Sequence, residues 1–184
     1  SLALRQSRAV AREMADCAVR ALNNALTALD HNTPALAQSI RDDEELCDHY
    51  EDILGTYLVK LSTQKMGRDE SEEATELLKT IGDFERISDH AVNILSSAEE
   101  MEQKGLTFSG SALNELAILT SAIREILSLS LKSFSSQDVA LAQQVEPLEQ
   151  VIATLKEQMR TRRILRMQQG HSSIEAGFNL SDLL

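Results

Sequence analysis

From Leu141 to Met159 the apolar residues fall at Leu141, Val145, Leu148, Ile152, Leu155 and Met159, stepping alternately by four and three. Leu113, Leu116, Ile123, Leu127, Leu131 and Phe134 follow the same rhythm. A seam of this period stays on one side of an α-helix and packs against another helix, knobs into holes. Strand alternation appears nowhere, and Ala, Leu, Glu and Ser dominate, so local propensity agrees with the periodicity. The chain is expected to be all-α.

The punctuation between seams sets the number of helices. With seven Gly and two Pro in 184 residues, breaks are few. "DHNTP" (30–34) offers Thr33 as an N-cap and Pro34 at the first helical position. "MGRDE" (66–70) is the next break, where Asp69 followed by Glu72 resembles a capping box. "KGLTFSGS" (104–111), "SSQD" (135–138) and "QQGHSS" (168–173) complete the set, giving six segments of which the last is short. Helices of this length, about 45 Å for 30 residues, build antiparallel bundles, and Pro147 is expected to kink the fifth. "ALAQSI" (35–40) recurs as "ALAQQV" (140–145), each after a short loop. The repeat predicts two antiparallel three-helix bundles over 1–105 and 106–184, the second truncated at its last helix.

Charge narrows the partners. A formal net charge of −11 repels a phosphate backbone, which excludes nucleic acid and leaves cations and basic protein surfaces. Cys17 and Cys47 have no metal spacing and read as small core residues. No apolar run reaches the ~18–20 residues that cross a bilayer. The chain begins at Ser1, which fits a fragment of a longer parent.

Within the third segment, "DFERISDHAVNI" (83–94) crowds Asp83, Glu85, Arg86, Asp89 and His90 into a helix. At about 100° per residue, Ile81, Phe84, Ser88, Ala91, Val92 and Leu95 form an apolar arc, and Glu85 and Asp89 lie at its edge. The second segment has the same plan. Leu36, Ile40, Cys47, Tyr50, Leu54, Leu58 and Leu61 fill its arc, and Glu44, Asp48 and Glu51 border it. Both helices therefore carry ExxxD on matching borders, Glu44/Asp48 and Glu85/Asp89. Facing carboxylates repel unless protonated or neutralised by a cation. Oxygen-only ligands suit Mg, Mn, Ca, Fe or Zn. The competing reading is a solvated border paired with Arg or Lys. Di-iron oxygen chemistry in bundles uses Glu-x-x-His, which is missing, and His90 points about 140° away from Glu85. No phosphate loop, nucleophile elbow or Cys/His pair is present, so no enzyme activity is expected. Arg160, Arg162, Arg163 and Arg166 in "MRTRRILRM" read as a solvated face or as a docking patch for an anionic surface.

"DFERISDHAVNI" resembles the signature of the PhoU family, in which a helix reads ERIxDHxxNI. "EELCDHYEDILGTYLVKLS" (44–62) and "SIEAGFNLSDLL" (173–184) are similar to PhoU-like domains fused to sodium/phosphate cotransporters. The resemblance covers nearly the whole chain and implies two repeated three-helix bundles. It implies metal binding through Glu44, Asp48, Glu85 and Asp89, with Asn93 at the family's Asn position; Glu51, on the same border, is a further candidate, and the ion is expected to be Fe, Zn, Mn or Mg. Two departures stand out: the second-half counterpart of Glu44/Asp48 is Glu149/Ala153, and a second ER-type motif would begin only after Leu184. The implied function is regulation of a sodium-dependent phosphate transporter from the cytoplasmic face of the inner or plasma membrane. Its partners would be the transporter's transmembrane part, a phosphate-signalling kinase complex or a second copy in a homodimer. The alternatives are a free-standing PhoU-type negative regulator of phosphate signalling and ABC phosphate transport, a metal-dependent bundle enzyme, and a metal-free helical adaptor.

Overall fold

The computed structural model describes residues 1–64 and 66–136. These form four helices: α1 (Leu2–Asp30), α2 (Pro34–Ser62), α3 (Arg68–Lys104) and α4 (Gly110–Ser136). No strand occurs among the described residues, so the all-helical expectation holds. Residues 137–184 lie outside the described residues. With them go the second member of the repeat, Pro147, the Glu149/Ala153 position and the arginines at 160, 162, 163 and 166. The chain divides into two compact units, Ser1–Leu95 and Ser96–Leu184, and the division falls inside α3.

Helix ends follow local chemistry. The Ser1 hydroxyl accepts from the Leu4 amide at 3.2 Å. Thr33 does the same for Leu36 at 3.1 Å, with Pro34 opening α2, because the first amides of a helix have no partner within it. The turn from α3 to α4 needs Gly105. Its φ of 64° is the left-handed conformation that glycine adopts without strain. Gly105 N–H donates to Glu102 and Leu106 N–H to Met101, a Schellman closure. The break before α3 differs from expectation. The helix already runs from Arg68, and the Ser71 amide donates to the Gly67 carbonyl. Asp69 therefore lies inside the first turn rather than capping it, and Glu72 accepts from Arg68 at 3.3 Å. Asp69 and Glu70 still favour this end through the helix dipole.

Within Ser1–Leu95 the core is built from thin side chains. Ala11, Ala15, Ala18, Ala21, Ala25 and Ala28 of α1 are buried at steps of three and four. Small residues on this scale let helix backbones approach closely, which suits a chain with only 3% aromatic residues. Ile40, Cys47, Leu54, Leu58 and Leu61 are the buried members of the expected α2 arc, and α3 contributes Leu77, Ile81, Phe84, Ala91 and Leu95. Each fully buried Leu or Ile contributes about 1.5–3 kcal/mol. Cys17 and Cys47 are both free and buried, as small core residues should be. In the second unit Leu116 and Leu127 of α4 are buried. Leu113, expected in the same seam, is 43% exposed instead, lying in the first turn of the helix.

α1 and α2 run antiparallel, joined by the short turn at 31–33. Their register is marked by three pairs. Arg20 grips buried Asp43 with two charge-assisted bonds, Nε to Oδ2 at 2.9 Å and Nη2 to Oδ1 at 2.8 Å. The Cys47 thiol donates to the Met14 carbonyl at 3.8 Å, and the Tyr50 hydroxyl donates to Glu13 at 3.0 Å. The Asp43 contact is also the main reason the Arg20 guanidinium is held above its ordinary pKa.

Two substitutions test this account by chemical denaturation. Asp43→Ala leaves Arg20 without its planar partner and is expected to cost about 2 kcal/mol, tempered by the half-exposed guanidinium. Gly55 lies inside α2, and a Cβ there meets nothing within 4 Å. Gly55→Ala is expected to raise stability by roughly 0.5–1 kcal/mol, the usual difference between these residues in a helix interior.

Candidate metal centre

α2 lies antiparallel to α3 along a shared buried layer. The fully buried Ser88 of α3 has its hydroxyl beside the Cys47 thiol, with no hydrogen bond of normal geometry. Burial, with Cys17 nearby, pushes that thiol up to about 12, so Cys47 is inert packing at neutral pH. This layer sets the phase of both helices. It places the carboxylates of one at the margin facing the carboxylates of the other.

Two overlapping groups result. Carboxylate oxygens of Glu44, Asp48 and Asp89 lie within 4.8 Å of one another, and so do those of Asp48, Glu51 and Glu85. Asp48 belongs to both. The structure therefore brings together Glu44, Asp48, Glu85 and Asp89 and adds Glu51 as a full member. Glu51 follows Glu44 and Asp48 at the seventh position on the same helix face, so the spacing alone contained that signal. Asn93 is exposed, one turn beyond Asp89, and His90 is exposed as well.

The electrostatics separate this cluster from an ordinary acidic border. Among the described residues none of the five carboxylates forms an ion pair with Lys or Arg. Arg86, the nearest cation in sequence, pairs with Asp83 instead. Partial burial, followed by the charges of Glu51, Asp89 and Asp48, raises the Glu85 carboxyl to about 7. Burial and then Asp48 raise Glu44. Glu51 is raised by burial, Asp48, Asp52 and Asp89. Two rows of like charge, partly exposed and without counter-charge among the described residues, are a setting in which a cation gains. An all-carboxylate donor set with access to water fits a hard or borderline ion, whereas a soft one would seek thiolate.

Comparisons with known proteins speak to the family and the fold. Residues 11–98 match the PhoU domain, a span that contains all five carboxylates. The fold resembles the crystal structure of PhoU from Pseudomonas aeruginosa, with a TM-score of 0.90. Sequence identity is 19%, and the match covers 99% of this chain and 87% of that one. At that identity the likeness establishes the fold. No curated protein matches the chain in sequence.

The raised carboxyls give a pH signature. Glu85 binds its proton more tightly folded than unfolded, so the metal-free protein is more stable in acid. That contribution is complete below the ordinary carboxylate value of 4.5 and is lost as pH rises to about 7. Urea midpoints of chelated protein should therefore fall between pH 4.5 and 7. Glu85→Gln should flatten that slope, and an unchanged slope in the variant would show that the strain lies elsewhere.

Proposed function

We propose that this chain is a metal-binding regulator of phosphate homeostasis of the PhoU type. The observation that carries the reading is the set of five carboxylates held between α2 and α3 with no basic partner among the described residues, within a matched PhoU domain. Glu44, Asp48 and Asp89 would hold one cation. Asp48, Glu51 and Glu85 would hold it or a second one. The ion, of the Mg, Mn, Fe or Zn class, supplies positive charge that draws the two helices together. The chain's own residues orient their oxygens from two rigid rods and leave the outer side open to water. None of them forms a nucleophile–base pair, and the proposal assigns the protein binding and signalling rather than turnover.

In the form we favour, the protein acts as a free-standing negative regulator of phosphate signalling and ABC phosphate transport, working with a kinase complex in the cytoplasm. Support comes from the breadth of its structural likeness, which runs over 87% of a PhoU chain. A second form, a regulatory domain of a sodium/phosphate cotransporter at the membrane's inner face, draws on the likeness of 44–62 and 173–184 to such fusions. No helix among the described residues is long and apolar enough to cross a membrane, so any span in this second form would belong to another part of the parent. In cells deleted for the gene, a phosphate-starvation reporter that stays on in rich phosphate supports the first form. Altered sodium-dependent phosphate uptake with a silent reporter supports the second.

Metal linkage tests the site directly. A cation that binds only the folded state, at 100 times its Kd, stabilises by about 2.7 kcal/mol. Thermal denaturation should shift upward by several degrees on titration with Mn or Mg and return with chelator. Asp48→Asn, which alters both groups, should abolish most of that shift while far-ultraviolet dichroism stays unchanged. A shift that survives in Asp48→Asn would place the ion elsewhere.

A further inference from the structure

One face of α2 that stays outside the core is apolar. Leu46 is 38% exposed, Ile53 52% and Tyr57 41%, with half-buried Tyr50 between them. Their steps of four, three and four keep all four within about 40° of Leu46 around the helix, while Glu44, Asp48 and Glu51 lie about 140–160° away. The wall beside this stripe is low. The Arg20–Asp43 and Glu13–Tyr50 pairs set the register of α1 against α2. That register puts Gln6 level with Tyr57 and half-buried Val10 level with Ile53, with exposed Ala9 next to it. Small side chains on α1 beside large ones on α2 leave a shallow groove about 17 Å long, some three turns of helix. Anchors at i, i+4, i+7 and i+11 are the spacing with which a groove receives a second helix. The Tyr50 hydroxyl is satisfied by Glu13, which holds the ring at the groove's edge.

The charge around the groove selects the kind of helix that fits it. Asp42, Glu45 and Asp52 border it about 40–120° round α2 from Leu46, and Glu13 borders it from α1. All four are exposed, and none forms an ion pair with Lys or Arg among the described residues. Lys60, beyond Tyr57, is the sole Lys or Arg of α2 within that arc. Arg20 has its charge met by Asp43, and Arg5 and Arg12 stand about 80–100° round α1 from Glu13. We propose that this groove docks an amphipathic helix of a partner protein, apolar at four-and-three spacing along its seam and carrying Lys or Arg on its flanks. The seam covers Leu46, Tyr50, Ile53 and Tyr57, and the basic flanks meet the four acids of the rim. The same rim repels an anionic membrane surface. The acidic row between α2 and α3 lies on the other side of α2 and takes no part, so the docking does not depend on a bound ion.

Fluorescence anisotropy tests this with a labelled model peptide of about five helical turns, Leu at its seam positions and Lys on its flanks, titrated with the full chain in chelator. The Lys peptide is expected to bind with a Kd in about the micromolar range, and a counterpart with Glu in place of Lys about 10-fold more weakly or worse. Ile53→Asp decides between docking and mere attraction of charge. It adds a negative charge beside the rim, so attraction alone would tighten binding of the Lys peptide. A seam that needs Ile53 instead loses about 10-fold or more. The site is half exposed, so far-ultraviolet dichroism should not change. Glu45→Lys should weaken the Lys peptide several-fold and strengthen the Glu peptide. A Lys peptide bound as well or better by Ile53→Asp would overturn the proposal, and so would equal binding of the two peptides. Binding of neither would overturn it too and leave the stripe to a second copy or to the chain itself, which sedimentation equilibrium tells apart as dimer or monomer.

Discussion

Like charge pressed between two helices, with no basic residue among the described ones drawn in to relieve it, is the tension around which the described structure is organised. Five carboxylates could separate if α2 and α3 rotated by a few tens of degrees. The buried layer beneath them prevents this, because Cys47 and Ser88 are fully enclosed and any rotation would lift apolar surface into water. Packing thus holds the phase and electrostatics bear the strain. The raised carboxyls are its visible trace.

α2 has three working faces. One is buried against the core, one borders α3 with acids, and one presents Leu46, Ile53 and Tyr57 to solvent. Its position against α1 is fixed on the buried side by Arg20 and Asp43. A planar guanidinium meeting a carboxylate in two bonds leaves little freedom of register. The helix at the centre of the proposed site is therefore anchored on one side by a satisfied ion pair and strained on the other by an unsatisfied set. That asymmetry has a functional consequence. If a cation binds as proposed, it would change the relation of α2 to α3 without disturbing that of α2 to α1.

Much of this was legible in the residues. The four-and-three rhythm predicts helices, Thr33–Pro34 locates the start of α2, and matching ExxxD borders on two helices predict that Glu44, Asp48, Glu85 and Asp89 face one another. What escaped was three-dimensional. Asp43 lies in the buried arc of α2 between Ile40 and Cys47, and only the arrival of Arg20 from α1 explains why a carboxylate is tolerated there. Glu51 stands on the same border by spacing, but that its oxygens come within reach of Glu85 depends on how α3 approaches. Asp69 reads as a cap because an acid followed three residues later by Glu satisfies the local rule. The helix starts earlier, at Arg68, where carbonyl–amide pairing from Gly67 already serves. Leu113 fits the seam of α4 by spacing, yet a side chain in the first turn is buried only if another element covers it.

The absence of a basic partner at the cluster among the described residues also bears on what kind of regulator this would be. A carboxylate set neutralised by Arg or Lys would be a permanent clamp, indifferent to its surroundings. One neutralised by an exchangeable cation, or by a proton on Glu85 near neutrality, has two states whose populations follow solution conditions. Such a device needs the strained state to fold without the ion, which the alanine-rich packing of α1 and the aliphatic layer of α2 and α3 supply. It also needs the strain to fall short of unfolding the bundle, and here exposure matters. Asp48 and Asp89 are solvated, so water screens the repulsion to a level the core can bear. A fully buried version of the same five residues would demand its metal for folding. Under the proposed reading, this half-open one would exchange its ion and remain a bundle, as a regulator that responds to occupancy must.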